Sequence, residues 1–477
     1  MTWLFILAFM VVQLAIGLWI SRRIRSESDF FLGGRNLPLI MVAFSLFATW
    51  FGAETCMGSS AAVYRQGLSG SRADPFGFSL CLFLMGLILA GRLRGGNYIT
   101  LADYYRERFG VCVEKMAVWI MIPSSLIWGA AQIRAFGQVI ASTTPLPVTP
   151  AITAAALFVL VYTLMGGMLG DIYTDIIQGF FIFLGLIVLF FVCFQSFHGW
   201  REMLGSMDPG RLRFIGPTET LLQRMDRWMV PVLGSLVTQE AISRVLAAKS
   251  VSVARRASFL ACGIYLSLGS IPVLLGLVGP NILPGVAAPE QFLIRLAGQN
   301  LPRLLFVVFS SALISAIIST VDSILLAISA LVSHNLLVPL FGLKREKTRV
   351  LSARLVVLAS GVLAYVIAVH AKGIYELVLT ASSFGTAGIL VVTLMGLFTR
   401  VGGGAAAMSA LAAGLVLTPL FSYVLGLEAP FMTSILGALA AFAAGAFMAR
   451  RRERVHASGN SGQHINKFHQ PGDKAPH

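Results

Sequence analysis

Four carboxylates lie inside long apolar segments of the sequence. They are Glu54, Asp175, Glu240 and Asp322. An ionised side chain inside a membrane is costly unless it faces a cavity, a water-filled path or a partner charge. Each of the four is therefore a candidate for binding an ion or a solute.

Glu54 lies in the segment SLFATWFGAETCMGSS (Ser45 to Ser60), where glycine and hydroxyl residues interrupt an apolar helix. This pattern predicts a discontinuous helix, whose freed carbonyl oxygens can bind a cation and whose second half begins with a positive dipole end. The alternative is a glycine-rich packing face, with Glu54 capping a helix.

A second polar face lies in SALISAIISTVDSILLAIS (Ser311 to Ser329). Helical spacing places Ala316, Ser319, Thr320 and Ser323 on one side, and Asp322 extends that side by a turn. Hydroxyls alone often bond their own helix. With a carboxylate among them, they form the oxygen-rich environment that a hard cation prefers.

Other candidates are ambiguous from the residues alone. Asp175, in YTDIIQG, is either a functional acid or a helix N-terminal acid stabilised by the helix dipole. Glu240 either lines a cavity in a second broken helix or lies at the interface near Arg244. Three aromatic residues in apolar segments belong to the core, an interfacial belt or a ligand cage. They are Trp50, Phe78 and Trp128.

The elements that carry these residues are membrane spans. The chain has 57% hydrophobic and 12% charged residues, about half the charged fraction of a soluble domain. Its histidines and cysteines lack the spacing of a metal or redox site, and no catalytic dyad is visible. We therefore expect a polytopic membrane protein, not an enzyme, without a cofactor.

About 20 apolar residues cross a bilayer as a helix. The sequence predicts about thirteen transmembrane helices, at 3–20, 38–63, 76–91, 115–140, 149–168, 175–198, 228–246, 257–279, 302–333, 350–371, 374–398, 405–425 and 430–449. They form one transporter domain over residues 1–454 with a core at about 38–398, followed by a disordered cytoplasmic tail at 455–477.

The basic residues predict the orientation. Of 36 Lys and Arg residues, 25 lie in the tail and in connections that follow odd-numbered spans, and ten lie on the opposite side. Basic connections stay cytoplasmic, so we expect an outside N-terminus, an uncleaved first span and a cytoplasmic C-terminus. The net charge of +15 then reflects the anionic membrane surface and indicates no nucleic-acid partner.

Several motifs, in order along the chain, resemble the sodium:solute symporter family. They are DFFLGGRNLP (Asp29 to Pro38), FATWFGAET (Phe47 to Thr55), LADYYRERFG (Leu101 to Gly110), YTLMGGMLGDIYTDIIQG (Tyr162 to Gly179), SRVLAAKSVSVARRASFLA (Ser243 to Ala261) and SALISAIISTVDS (Ser311 to Ser323). The resemblance implies an all-α fold with a LeuT-type 5+5 inverted repeat, in which the second and seventh spans are discontinuous.

The resemblance also implies ion sites. A sodium ion would bind the carbonyl oxygens of Ala48, Phe51 and Ala316 and the hydroxyls of Ser319 and Thr320. A second site, for sodium or a proton, would use Asp175, Asp322 and Ser323. Many relatives have an uncharged hydroxyl residue where Asp322 stands, so the site would bind sodium more tightly or take a proton.

Within the family, the motifs look most like the choline-transporter branch. Trp50, Phe78 and Trp128 match cage positions that hold a quaternary ammonium by cation–π attraction. Thr238 stands where that branch has tryptophan, so one wall of the cage is missing. The expected solute-binding residues are these four with Glu54 and Gln239.

The expected function is sodium-coupled import of a small organic solute by alternating access in a bacterial plasma membrane. The candidate solutes are an amino acid, a betaine or a choline-like cation. Sodium, the solute and the bilayer are the expected partners, with no obligate protein partner. Proton coupling is the alternative. A membrane sensor is disfavoured because the polar tail has no room for a kinase domain.

Overall fold

The computed structural model describes residues 8, 11–12, 15–20, 22, 24–52, 54–71, 73–286, 288–371, 377, 381 and 385–465. The main helices are α1 (Glu27–Leu32), α2 (Leu39–Trp50), α3 (Glu54–Gly70), α4 (Asp74–Gly95), α5 (Leu101–Phe109), α6 (Val111–Thr143), α7 (Val148–Gln195), α8 (Leu221–Met229), α9 (Gln239–Ala247), α10 (Val251–Ile282), α11 (Phe292–Asn300), α12 (Arg303–Phe341), α13 (Glu346–His370), α14 (Thr386–Phe398), α15 (Gly404–Val424) and α16 (Pro430–Ile465).

The predicted all-α class is confirmed, because the described residues contain only an isolated β-bridge, between Leu37 and Ala248, and no strand. Eight described helices are long and apolar enough to cross a membrane, and the bent pair of α2 and α3 makes nine. The predicted number of thirteen is not confirmed. Half of the first predicted stretch, 3–20, and part of 374–398 lie outside the described residues.

Element α7 covers two predicted spans, 149–168 and 175–198, as two helical segments that meet at Gly167. Gly167 kinks it with φ 54° and ψ −169°, in the positive-φ region that glycine adopts without strain. A Cβ atom at Gly167 would also lie 3.0 Å from the Phe30 ring. Asp175 therefore lies inside a helix and is buried, and the helix-terminus alternative for it is wrong.

Helix α12 forms the centre of the bundle. It packs against α6, α7 and α13, and nearly every residue from Phe309 to Leu331 is buried. A helix that is apolar on all sides is stable only when other helices surround it. The hydroxyl and acidic residues of α12 consequently face protein on every side, which makes their partners decisive.

A polar network joins four elements at one end of the bundle. The two ring nitrogens of His334 lie 3.1 Å from a Glu27 oxygen and 3.2 Å from an Asp103 oxygen. The Asn335 amide donates to Asp103 across 2.7 Å and to Glu114 across 2.9 Å. These contacts hold α1, α5 and α6 against the end of α12.

The last helix, α16, runs to Ile465 and overlaps the segment 455–477 that we predict as a tail. Residues 466–477 lie outside the described residues. The domain boundary at 454 stays a prediction.

Candidate functional site

The end of α2 lies against the middle of α12. Helix α2 stops at Trp50, and Phe51 leaves the helical conformation with φ −80° and ψ 75°. The Thr320 hydroxyl lies 3.4 Å from the Ala48 carbonyl oxygen and 3.1 Å from that of Ala316, as a donor to both. Three of the five predicted sodium ligands are thereby brought together, with Phe51 at the break itself.

Ser319, the fifth predicted ligand, turns toward α7. Its hydroxyl donates to Asp175 and lies 3.3 Å from an Asp171 oxygen. A hydroxyl that donates its hydrogen keeps lone pairs that can bind a cation. Ser319 thus connects the contact between α2 and α12 to a set of buried acids.

Three aspartates and one arginine form a buried cluster around this serine. Asp171, Asp175 and Asp322 are fully buried, and Arg244 is 1% exposed. Arg244 pairs with Asp171 and donates to Ser323, whose hydroxyl donates to Asp171 across 2.9 Å. Neither carboxylate oxygen of Asp322 has a partner at normal hydrogen-bonding distance among the described residues, although the Thr163 hydroxyl lies close enough to stabilise the ionised form.

The charges of this cluster do not balance. Three ionised carboxylates and one guanidinium leave two negative charges, and an uncompensated buried charge is strongly unfavourable. Across the described segments, no group of three or more His, Cys, Asp or Glu side chains has the arrangement of a metal site. Bound cations or protons would balance these charges.

Two of these residues correct the sequence interpretation. Arg244 was counted among the basic residues of the cytoplasmic side, although the predicted span 228–246 contains it. It is buried, and the Asp171 carboxylate compensates its charge. Asp171 was missed, although its spacing of four residues from Asp175 places both on one helix face. Glu240 is also buried and accepts a 2.7 Å hydrogen bond from Ser125, which excludes the interfacial alternative.

A second helix break precedes α9. Ser235–Val237 form a 3-10 turn, Thr238 is extended with φ −73° and ψ 137°, and α9 begins at Gln239. The Gln239 side chain accepts from the Leu101 N–H and donates to the Ser243 hydroxyl, each across 2.9 Å. These two hydrogen bonds fix the Gln239 side chain, which also lines a small cavity.

The predicted aromatic residues converge on a neighbouring cavity. Trp50 stacks on Phe78 with ring centroids 5.0 Å apart, and both line the cavity with Trp128 and Thr238. Its volume is about 20 Å³, which is room for one water molecule. Glu54 lies beside the Trp128 indole. The structure thus holds the expected cage in a closed form.

One acidic residue near the cage was missed by sequence reasoning. Asp74 is buried, and its carboxylate accepts hydrogen bonds from the Tyr265 hydroxyl and, across 2.8 Å, from the Thr55 hydroxyl. It was assigned to a connection because it precedes a proline just before an apolar segment. That proximity to the apolar segment is the signal that could have found it.

Comparisons with known proteins identify the family of this chain. The family model described as the sodium:solute symporter family matches residues 30–414. The high-affinity choline transporter 1 of Drosophila melanogaster is 27% identical over 393 residues, which cover 78% of this chain and 62% of the relative's length, less than two thirds. The high-affinity proline transporter PutP of Bacillus subtilis (strain 168) is 27% identical over 373 residues, covering 75% and 78%.

A solved structure shows the same fold. It is the substrate-bound, outward-open state of a Na+-coupled sialic acid symporter, with a TM-score of 0.80 and 18% identity. The alignment covers 94% of this chain and 97% of that one. The described helices therefore adopt a LeuT-like fold.

Proposed function

Because the chain belongs to the sodium:solute symporter family, we propose that this integral membrane protein imports a small organic solute together with sodium, by alternating access. The contact that carries the proposal joins the Thr320 hydroxyl to the Ala48 carbonyl at the helix break. An ion at this point would bind two elements that must move relative to each other. In this proposal the solute crosses the membrane, and the covalent structure of the solute does not change.

The proposed sodium site has five oxygen ligands. They are the carbonyls of Ala48, Phe51 and Ala316 and the hydroxyls of Ser319 and Thr320. Neutral oxygens of this kind suit a hard monovalent cation. The observed hydrogen bonds of Thr320 to two of these carbonyls support the assignment, since sodium would replace the hydroxyl hydrogen as their partner.

The two helix breaks support an inverted repeat. One break follows α2, in the second predicted span, and the other precedes α9, in the seventh predicted span. In a 5+5 arrangement these are the first helices of each repeat. We propose that sodium holds α2 against α12 in the outward-open state, and that its release to the cytoplasm lets the solute follow.

The membrane voltage supplies the driving force. One charge moving inward across 100 mV gains about 2.3 kcal/mol, which corresponds to about fiftyfold accumulation per ion. This direction depends on the orientation proposed from the basic residues, with the N-terminus outside a bacterial plasma membrane. One coupled sodium ion suffices for efficient uptake.

We propose a second cation site at Asp175, Asp322 and Ser323. Asp171 and Arg244 belong to the same cluster, and the unbalanced negative charge supports binding of another cation. A proton is the alternative occupant, which is favoured by the unpartnered carboxylate oxygens of Asp322. A protonated carboxyl group beside Asp171 would reduce the repulsion between the two acids.

The proposed solute site is the closed cage. Trp50, Phe78, Trp128 and Thr238 line it, with Gln239 and Glu54 close by. Amino acids, betaines and choline-like cations all fit the aromatic and polar character of these residues. The printed names of the relatives include choline and proline transporters, so the family tolerates different solutes.

Flux into proteoliposomes tests the proposal. Purified protein is reconstituted, and uptake of radiolabelled proline, glycine betaine, choline and ethanolamine is followed with and without an imposed inward sodium gradient. We expect at least one solute to accumulate only with the sodium gradient. Accumulation driven equally well by a proton gradient without sodium would support the proton alternative, and no gradient-driven uptake of any of the four would contradict symport of these solutes.

A further inference from the structure

Two buried carboxylates near the cage have no cationic partner. Glu54 is 5% exposed and Asp74 is 2% exposed. The Asp74 carboxylate acts electrostatically on Glu54, and Asp74 itself is held by the neutral hydroxyls of Tyr265 and Thr55. Neither acid forms an ion pair with a Lys, Arg or His in the described residues. A bound cation or a proton would stabilise two buried acids of this kind.

The unpaired atoms of these acids are specific. One oxygen of Asp74 is held by the Tyr265 and Thr55 hydroxyls, while its Oδ2 has no hydrogen-bond partner among the described atoms. Glu54 Oε2 has no partner at normal hydrogen-bonding distance, although the indole N–H of Trp128 lies close enough to stabilise this carboxylate. Buried polar atoms are nearly always hydrogen-bonded, so these carboxylate oxygens lack donors that a ligand could supply.

The acids and the aromatic cage share a wall. The Tyr265 hydroxyl holds Asp74, and the Tyr265 ring lies 6.0 Å from Phe78 and 5.5 Å from Phe51, between centroids. Phe78 in turn stacks on Trp50. Glu54 and Asp74 are not among the described residues that line the closed cavity. They lie behind its aromatic wall, so a small cation would reach their carboxylates when that wall opens.

We propose that the solute is a small organic cation with N–H groups, a primary or secondary ammonium, which Glu54 and Asp74 bind against Trp50 and Phe78. This inference rests on the proposed symport function and names its solute class. The ammonium hydrogens donate to the unpartnered oxygens, and the aromatic faces attract the charge.

The same contacts discriminate against the other candidates. A quaternary ammonium has no N–H groups, so it would leave the carboxylate oxygens without donors, and Thr238 provides no aromatic fourth wall. A zwitterion carries a carboxylate, but no Lys, Arg or His is among the described residues that line the two small cavities. Specificity built on buried hydrogen-bonding groups is strong, because the wrong ligand leaves them unpaired.

The cavity wall also contains hydroxyls that suit a short polar tail. Ser124 donates to the Ala381 carbonyl across 2.6 Å and Thr238 donates to the Ser235 carbonyl across 3.0 Å. Both hydroxyl oxygens keep lone pairs for a donor on the solute. Ethanolamine, an ammonium joined to a hydroxyl by two carbons, therefore serves as the probe.

Thermal stabilisation of the purified full chain in detergent tests the inference. Melting temperature is measured against concentration of ethanolamine, choline and glycine, each with sodium present, because a ligand that binds the folded state raises it. These probes present an N–H cation, a cation without N–H groups and a zwitterion. We expect an apparent dissociation constant for ethanolamine at least tenfold lower than for either of the others.

Variants identify the residues responsible. Glu54→Gln and Asp74→Asn should each weaken ethanolamine binding at least tenfold, while Glu54→Asp, which keeps the charge, should retain more affinity than Glu54→Gln. Glu202→Gln, the same change on an exposed connection, is the matched control and should leave binding unchanged. If a neutral variant does not fold, the three-probe series on the wild-type protein still decides.

Three results would each overturn the inference. The first is binding of choline or glycine as tight as that of ethanolamine, and the second is an ethanolamine affinity within twofold of wild type in both neutral variants. The third is the absence of any stabilisation by ethanolamine. A sodium titration without amine separates this failure from failure of the proposed function. Stabilisation by sodium with no preference for ethanolamine removes only the solute class, whereas no response to sodium removes the symport proposal.

Discussion

Adjacent residues of one helical turn in α12 make different contacts. Thr320 bonds the carbonyls at the α2 break, whereas Ser319 bonds the acids of α7. We expect Thr320→Val, which removes the hydroxyl and keeps the shape, to raise the sodium concentration for half-maximal uptake about tenfold, since a lost ligand costs roughly 1–3 kcal/mol.

The control for this variant is Thr433→Val. Thr433 makes the same bond to the carbonyl four residues earlier, across 2.6 Å, but in α16 and away from the site. Sodium titrations of uptake in proteoliposomes compare the two variants. Equal sodium dependence in wild type and Thr320→Val would remove Thr320 from the ion site.

Asp322 has a separate prediction. In Asp322→Asn the cluster loses one negative charge, so we expect a changed number of coupled ions or a changed pH dependence of uptake. The charge moved per solute, measured from reversal potentials at several sodium concentrations and pH values, checks this. If both quantities match wild type, Asp322 has a structural role only.

At this scale the sequence reveals the acids that interrupt apolar segments, namely Glu54, Asp175, Glu240 and Asp322. It does not reveal Asp171 and Asp74, because neighbouring glycine or proline makes their segments resemble connections. Arg244 was misassigned for a related reason. Burial of an arginine depends on an acid 73 positions away in the chain, and no local pattern encodes that pairing.

Helix breaks differ in how visible they are. The break after α2 is predictable because glycine and hydroxyl residues surround it. The break at Thr238 is less visible, because the residues around Glu240 leave a second broken helix as one of two alternatives, and the resemblance to the family then implies it. An extended residue between two short helical turns is a consequence of tertiary contacts, such as the Gln239 side chain bonding the start of α5.

Close helix packing gives an element-scale prediction. Gly414 in α15 faces α14, and a Cβ atom there would lie 2.2 Å from the Gly388 backbone nitrogen. We expect Gly414→Ala to destabilise the protein by about 1–3 kcal/mol through overpacking, despite the better helix propensity of alanine. Gly263→Ala, with no atom within 4 Å, should not lower the melting temperature. Equal melting temperatures of the two variants would contradict the close contact between α14 and α15 at Gly414.

The polar network gives a pH-dependent prediction at the same scale. Burial of Asp103 in α5 opposes its ionisation, but hydrogen bonds from His334 and from the backbone N–H groups of Thr100 and Ile99 outweigh burial and lower its pKa. A carboxyl group whose pKa is lower in the folded protein than in the unfolded chain, where it is about 3.9, stabilises the fold at pH values above about 3.9. This stabilisation is lost as the pH falls through the folded-state pKa.

Asp103→Asn should therefore lower the melting temperature at pH 7. The difference from wild type should shrink as the pH falls below about 4. Asp208→Asn, in an exposed connection, serves as control. A difference that stays constant with pH would show that charge on Asp103 is not the cause.

At the scale of the molecule, the proposed orientation places Cys112 on the cytoplasmic side, at the start of α6. It is exposed, Cys262 is half-buried, and Cys56, Cys81 and Cys193 are buried. A membrane-impermeant maleimide should modify inside-out vesicles and spare right-side-out ones, and Cys112→Ser should remove the signal. Labelling of right-side-out vesicles at Cys112 would invert the topology.

Hydropathy predicts the class of the whole molecule because apolar composition leaves no alternative to membrane helices. The number of spans is harder to predict, since a single residue, Gly167, separates the two helical segments of α7, and Thr238 interrupts another apolar stretch. Contacts between distant segments decide both cases.

The sealed cage has a spectroscopic consequence. Trp50 and Trp128 form part of a wall around about 20 Å³, so a solute of several atoms cannot enter until that wall separates. Separation would bring water to the indole rings and shift their emission to longer wavelength. Stopped-flow fluorescence of the unlabelled protein should therefore report the opening of the cage as a kinetic phase, with Trp50→Phe and Trp128→Phe showing which indole carries it.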